Sequence, residues 1–258
     1  GTVATATQNS ITTATGLTTV GAGGTASTVA GIPLYSVSST NSMYTHNVSG
    51  TDNDANRNTA FGFAALDAVT TADDSTAFGA GALGAVTTGP YNTAVGPYAG
   101  GAITTGSRNL AIGHGAYQGS DTENDNIAIG HNAMNVNTAG GQYNVAIGSY
   151  AADALTSGDN NTVMGHNVAS NLTTGGNNTA MGMDALLTAT TQSSNTAVGY
   201  QALRATVNAD NTAVGFDAGK LNSTGTNNTA LGKSAFDANT SGNANTAIGR
   251  DALGANTT

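Results

Sequence analysis

One short phrase is written twelve times between residue 58 and the end of the chain: Asn-Thr-Ala, an apolar residue, Gly, two free positions, Ala. Its Asn is Asn58, Asn92, Asn109, Asn126, Asn144, Asn161, Asn178, Asn195, Asn211, Asn228 and Asn245, with Ser75 in that place once. Copies begin 17 residues apart, except for one step of 18 (Asn126 to Asn144) and one of 16 (Asn195 to Asn211). A unit this short cannot bury an apolar face alone, so copies must stack on one another. The array therefore has an architectural task.

Composition supports an ordered stack. Leu, Ile, Val and Phe make up about 16% of the chain, below the ~20% that usually accompanies disorder. Disorder also needs high charge, and only 8% of these residues are charged. Much of the apolar content is Ala, so each coil buries little area and depends on neighbouring coils or neighbouring chains. The net charge of −9, from 15 acids and 6 bases, disfavours nucleic acid and anionic membrane surfaces, which need clustered Lys and Arg. With no cysteine there is no disulfide framework, thiolate metal site or thiol nucleophile. No apolar run approaches the ~18 residues of a membrane helix, so no membrane insertion is expected in this segment. No charged-then-apolar leader opens the chain, and its start at Gly1 suits a mature form or a fragment.

Counting from each Asn as position 0 turns the repeat into a coil. Position +1 is Thr in nine copies and Leu110, Ile127 and Val145 in the others. Position +2 is Ala except at Val163, +3 is always apolar, and +4 is always Gly. The recurring structural set is typified by Ala60-Phe61-Gly62, Ala94-Val95-Gly96, Ala128-Ile129-Gly130, Ala146-Ile147-Gly148, Ala197-Val198-Gly199 and Ala247-Ile248-Gly249. Strand alternation places +1 and +3 on one face and +2 on the other. The expectation is that the large +3 residue fills the coil and the Ala at +2 faces a close neighbour. Gly at +4 implies positive φ or close backbone approach. Ala at +7 and large residues at +8, such as Leu66, Tyr117 and Phe236, predict a second strand. A Thr/Gly/Asn turn, with Gly at −3 in seven copies, then returns the chain through left-handed backbone. A helix is disfavoured by the Gly and β-branched content.

Two regions follow: a Thr/Ser/Gly-rich β spacer or docking segment over 1–57, and a twelve-coil domain over 58–258. In the first, Ile11–Thr15, Leu17–Val20 and Ile32–Val37 read as strands, Gly21–Gly24 as a break, and Gly50–Arg57 as the lead into the first coil. Pro33 belongs at an edge or a strand start.

The copies Asn126-Ile-Ala-Ile-Gly130 and Asn144-Val-Ala-Ile-Gly148 resemble the head repeat of YadA-like trimeric autotransporter adhesins. Asn195-Thr-Ala-Val-Gly-Tyr-Gln-Ala-Leu203 and Asn211-Thr-Ala-Val-Gly-Phe-Asp-Ala218 are similar to repeats of phage tail-fibre-like proteins. The resemblance implies an all-β, left-handed parallel β-roll, a β-solenoid of about twelve coils, as a homotrimer with its chains intertwined or side by side. It also implies an extracellular, cell-surface or virion location. The coils here are longer than those of the adhesin head, and no membrane barrel follows in this sequence, which favours a fibre, filament or fragment over a complete autotransporter.

Candidate chemistry is sparse. Asp121, Glu123 and Asp125 have an alternating spacing able to gather oxygens around Ca²⁺, though a solvated acidic loop is the simpler reading. His114, His131 and His166 share position +5, and rings of His114 and His131 about a three-fold axis could hold a metal or anion. That column also holds Phe63, Pro97, Ser149, Lys233 and Arg250, which suits an exposed surface. No nucleophile elbow, phosphate loop or paired acids are present, so no enzyme and no resident cofactor are expected. The expected function is a structural and adhesive fibre. It would present loops such as Gly119–Asp125 and Thr138–Tyr143, with the +5 and +6 side chains, to a cell-surface or matrix receptor, a glycan being one such ligand. The alternatives are a self-assembling filament subunit and a monomeric ice-binding solenoid, the latter suggested by Thr at +1 from Thr162 to Thr246.

Overall fold

The structure, a computed structural model, describes residues 27–29, 32–37, 42–44 and 54–258, less 120 and 137–139. Three strands lead: β1 (Ser27–Val29), β2 (Ile32–Val37) and β3 (Ser42–Tyr44). One three-residue strand then falls at +1 to +3 of every repeat. The first six are β4 (Thr59–Phe61), β5 (Thr76–Phe78), β6 (Thr93–Val95), β7 (Leu110–Ile112), β8 (Ile127–Ile129) and β9 (Val145–Ile147). The rest are β10 (Thr162–Met164), β11 (Thr179–Met181), β12 (Thr196–Val198), β13 (Thr212–Val214), β14 (Thr229–Leu231) and β15 (Thr246–Ile248).

These strands form one sheet in chain order, parallel from β3 to β15, with no helix among the described residues. Like stacks on like: Ala197 pairs with Ala213 and Val198 with Val214. The steps of 18 and 16 keep this register, pairing Ala128 with Ala146 and Ala197 with Ala213. Their odd residue is therefore absorbed outside the strand. The chain is an all-β parallel solenoid.

Alternation along each strand is as expected, but its sense is reversed. The Ala at +2 is the interior residue, from Ala60 at 0% to Ala247 at 2% exposure. The +3 side chains point outward, including Phe61, Val95 and Ile248, while Ile129, Ile147 and Val198 are half-buried there. Leu110, Ile127 and Val145 at +1 share that outer face and are not core residues. The reason lies across the coil. Leu66, Leu83, Tyr117, Met134, Leu186, Leu203 and Phe236 at +8 enter from the opposite side and fill the interior. A second group at +11, including Val69, Ile103, Leu155 and Leu172, joins them. Space remains on the strand side for a small side chain: a methyl group in every coil but one, where Val163 is buried in a coil whose +8 residue is Ala169.

The run predicted as a second strand is a series of turns. Residues at +7 and +8 are both buried, for example Ala65 with Leu66 and Ala235 with Phe236. A strand cannot point two successive side chains inward. Left-handed backbone does so here: Ala64 and Leu66 have φ of 54° and 53°, and Ser234 and Phe236 have φ of 51° and 57°. Such conformers cost on the order of 1–2 kcal/mol each in non-glycine residues. Bonds between coils, such as Leu66 N–H to the Ala82 carbonyl at 3.0 Å, offset that cost.

Glycine has two distinct uses. At +4 every Gly has φ between 117° and 142°, and a Cβ on Gly62 would lie 2.5 Å from the Gly79 carbonyl oxygen. Both expected constraints operate there. At −3 the backbone is not left-handed. Gly89, Gly158 and Gly175 are needed because a Cβ would overlap the carbonyl of the coil above. The left-handed turn residue is instead −1, as in Asn160, Asn177 and Asn227.

The repeat Asn forms a buried ladder. Its Oδ1 accepts the next Asn's backbone N–H, as from Asn195 to Asn178 at 3.0 Å. Its Nδ2 donates to the carbonyl at −3 of the next coil, as from Asn178 to Gln192 at 2.9 Å. Both the oxygen and the nitrogen of the buried amide are bonded to neighbouring coils, which explains its near-invariance. A hydroxyl ladder runs beside it at +12, where Thr70 donates to the Thr87 carbonyl at 2.9 Å and Thr87 to that of Thr104 at 3.2 Å.

The leading strands close one end. The predicted strand Ile32–Val37 is β2, antiparallel to both β1 and β3. Pro33 lies at its start, beyond the part paired with β3. Tyr44 aligns with Ala60 and is fully buried, so a large ring stands where later coils place a methyl. The ring belongs to the same buried cluster as Ala60 and Leu66. The candidate strands Ile11–Thr15 and Leu17–Val20 and the break at Gly21–Gly24 lie outside the described residues.

Candidate functional site

With the interior assigned, three outward surfaces remain. The first is the sheet face made by +1 and +3. Its +3 column is apolar throughout, with Phe78 at 54%, Leu231 at 48% and Ile248 at 67% exposure. Phe61 and Phe78 stack along it, with ring centroids 4.9 Å apart. Its +1 column is Thr from Thr162 to Thr246, each Thr paired in register with the next. An outward apolar column of this length, exposed at Phe61, Phe78, Val95, Met164, Leu231 and Ile248 and half-buried between them, is unusual in an isolated monomer.

The second surface is the edge formed by +5 and +6. His114 and His131 stack as predicted, with centroids 5.4 Å apart and planes 17° from parallel. Tyr98 and Tyr150 meet the pair edge-on from either end, and His166 continues beyond Tyr150. Further along, Tyr200 stacks on Phe216, whose ring carries the Lys233 ammonium 5.6 Å from its centroid. The histidines are exposed. Among the described residues, no three His, Cys, Asp or Glu side chains gather in a way that could hold a metal.

The third surface comprises the loops near residues 121–143. The three acids proposed as Ca²⁺ ligands do not converge. Glu123 turns inward at 3% exposure; its Oε2 accepts the N–H groups of Asp121 and Thr122 at 2.9 and 3.0 Å, and its Oε1 accepts that of Gly140 at 3.0 Å. It thus ties one candidate contact loop to the other. Asp121 accepts a hydrogen bond from the Thr104 hydroxyl. Asp125 pairs through both oxygens with Arg108, at 2.6 and 2.8 Å. The Arg108 hydrogen bond holds the Asp125 carboxyl below its ordinary range, and Arg57 does the same to Asp74. Each Arg stands one coil from its partner in the −1 column, so these pairs join exposed turns.

The +11 and +12 columns are the positions sequence reasoning missed. Thr at +12 in nine copies was the available signal for a hydroxyl ladder. The +11 column carried none, because its filler changes from Leu to Asn along the array. Among the described residues no helix is long and apolar enough to cross a membrane. No protein-family model, curated protein or solved structure matches this chain.

Proposed function

We propose that this chain is the shaft of an extracellular or virion fibre, a structural and adhesive module in which three copies associate through their sheet faces. The supporting observation is the unbroken outward column of large apolar residues at +3. Covering such a strip removes it from water at about 25 cal/mol per Å². Twelve coils at ~4.8 Å give a rod on the order of 58 Å, and stacking fixes the spacing of every outward loop. Weak contacts made by three chains then add as avidity. The neighbour of each chain lies against +1 and +3, not against the buried Ala at +2. Light scattering should give three times the chain mass, and Val198→Asp should release monomers that remain folded. A monomeric mass for the parent protein overturns the association.

The outward Thr column supports a second reading, a monomeric ice-binding face. The threonines pair in register from Thr162 to Thr246, but Leu110, Ile127 and Val145 interrupt the column in the middle of the array. Thermal hysteresis from a monomer would favour this reading over the fibre.

A further inference from the structure

Across the first five coils the turn side carries a groove of about 640 Å³, in the size range of small-ligand sites. It runs along the rod axis. Its walls and floor include Asp67, Gly84, Tyr98, Gly101, Gln118 and Asn135. None of these belongs to a strand, so the groove is separate from the sheet face assigned to chain association.

The groove exists because two side chains are missing at a position where most coils accept one, although a Cβ on Gly84 or Gly101 would lie 3.1 or 3.2 Å from a carbonyl oxygen. Gly84 and Gly101 occupy position +9, and neither has left-handed backbone. Nine other coils place a side chain at that position, among them Gln118, Ser170, Leu187 and Arg204. The two glycines therefore open a floor that the same backbone elsewhere covers. In the ninth and tenth coils Arg204 and the Lys220–Asp217 pair stand at the equivalent places.

Two further arrangements shape the groove. The Tyr98 ring lies on Gly81, where a Cβ would sit 2.9 Å from Tyr98 Cδ1, and the ring is half exposed. At the other end three amides meet above Gly115. A Cβ there would fall 3.3 Å from Gln118 Oε1 and 3.6 Å from Asn135 Nδ2, and would overlap Asn132 Oδ1. Both Gly81 and Gly115 have left-handed backbone, with φ of 67° and 62°. None of the three amide side chains is bonded to another described residue, so their donors and acceptors face the groove or solvent.

The chemistry selects a ligand class. Side-chain amides offer paired donors and acceptors that match neighbouring hydroxyls. A half-exposed aromatic ring offers a surface for the C–H face of a sugar. The only charge in the lining is the Asp67 carboxylate, so phosphates, sulfates and uronates would meet no cation. An extended peptide would need a free strand edge, and the groove has none. We propose that this groove binds a short stretch of neutral oligosaccharide lying along the rod axis. The inference rests on the adhesive reading for its purpose, and it gives that reading a ligand class.

The test is calorimetric titration of the whole chain with cello-, malto-, manno- and chito-tetraose, with a heparin tetrasaccharide as the anionic control. At least one neutral sugar should bind with a Kd of about 0.1–1 mM, and the heparin fragment should not. Gly101→Gln, which places in the groove the residue already present at 118, should weaken binding at least about tenfold. The melting midpoint and the mass by light scattering should not change. Asp237→Ser, at the same position of a distant coil, should bind as the parent does. Failure of all four sugars, preference for the heparin fragment, or unchanged binding by Gly101→Gln overturns the proposal. Because mass is read on the same samples, a failed trimer and a failed sugar site give different results.

Discussion

Two groups of coils fill the same interior position with opposite chemistry. Among the described residues, +11 is apolar at Val69, Val86, Ile103, Leu155, Leu172 and Ala189 and polar at Thr206, Asn222 and Asn239, all of them fully buried. The apolar group fills space beside the +8 side chains. The polar group satisfies itself: Asn239 Nδ2 donates to Asn222 Oδ1 at 2.6 Å, and Gly242 N–H donates to Asn239 Oδ1 at 3.0 Å. Strand register does not differ between the two groups. The stack therefore tolerates either filler, provided that each interior group is apolar or fully bonded. It also follows that Asn222, although it reads as a glycosylation sequon, faces the core.

The comparison can be broken most severely by moving one filler into the other group. Leu172→Asn sets an amide between Leu155 and Ala189, with a cavity and no ladder partner. A loss of about 3–5 kcal/mol is expected, read from urea unfolding followed by circular dichroism. Next comes the Asn column common to both groups. Asn178→Ala removes the acceptor for Asn195 N–H and should cost about 2–3 kcal/mol. Asn178→Ser should cost roughly half as much, because Ser75 already accepts Asn92 N–H in this way at 3.3 Å.

A double-mutant cycle sharpens the same point. Asn239→Leu alone takes the donor from a buried Asn222 oxygen and the acceptor from the Gly242 N–H and should cost about 2–4 kcal/mol, whereas adding Asn222→Leu removes the orphaned oxygen and should recover about 1–2 kcal/mol of that loss. Additive costs in the pair would refute the interchangeable-filler account.

The smallest effect concerns Asp153, at +9 of the sixth coil. Burial raises its carboxyl above the ordinary range, opposed by bonds from its own N–H and that of Ala154. A raised folded value means that the stabilising contribution is present at acid pH and is lost as pH rises through that value. Asp153→Asn should therefore melt slightly higher than the parent at neutral pH, with the difference closing as pH falls. Asp74 and Asp125 have the opposite sign, since their arginines favour the charged form. Their contribution is lost only as pH falls through the lowered values. A parent midpoint that falls while the Asp153→Asn midpoint holds steady, as pH drops through the carboxylate range, would contradict the assignment.

Much of the architecture was legible in the residues. The period located all twelve repeat strands, the invariant Gly located the bend, and the β-branched run Ile32–Val37 located a leading strand. Stacking of His114 on His131 followed from register alone. The groove was not legible, because Gly84, Gly101 and Tyr98 are scattered in sequence and meet only across coils. The fate of Asp121, Glu123 and Asp125 was likewise hidden, since each finds its partner either in the backbone of its own loop or one coil away.

What the residues determined by themselves is the one-dimensional order: strand, bend, return and a near-constant period, which follow from local backbone preferences and a repeated apolar pattern. What only the tertiary structure decided is which side is inside. Alternation separates +2 from +1 and +3 without saying which faces the core. That choice depends on the volume arriving from the far side of the coil, where left-handed residues at +6 and +8 swing the large side chains inward. Once they fill the interior, the strand can add only a small side chain, Ala in every coil but that of Val163, and the apolar column at +3 is left facing outward.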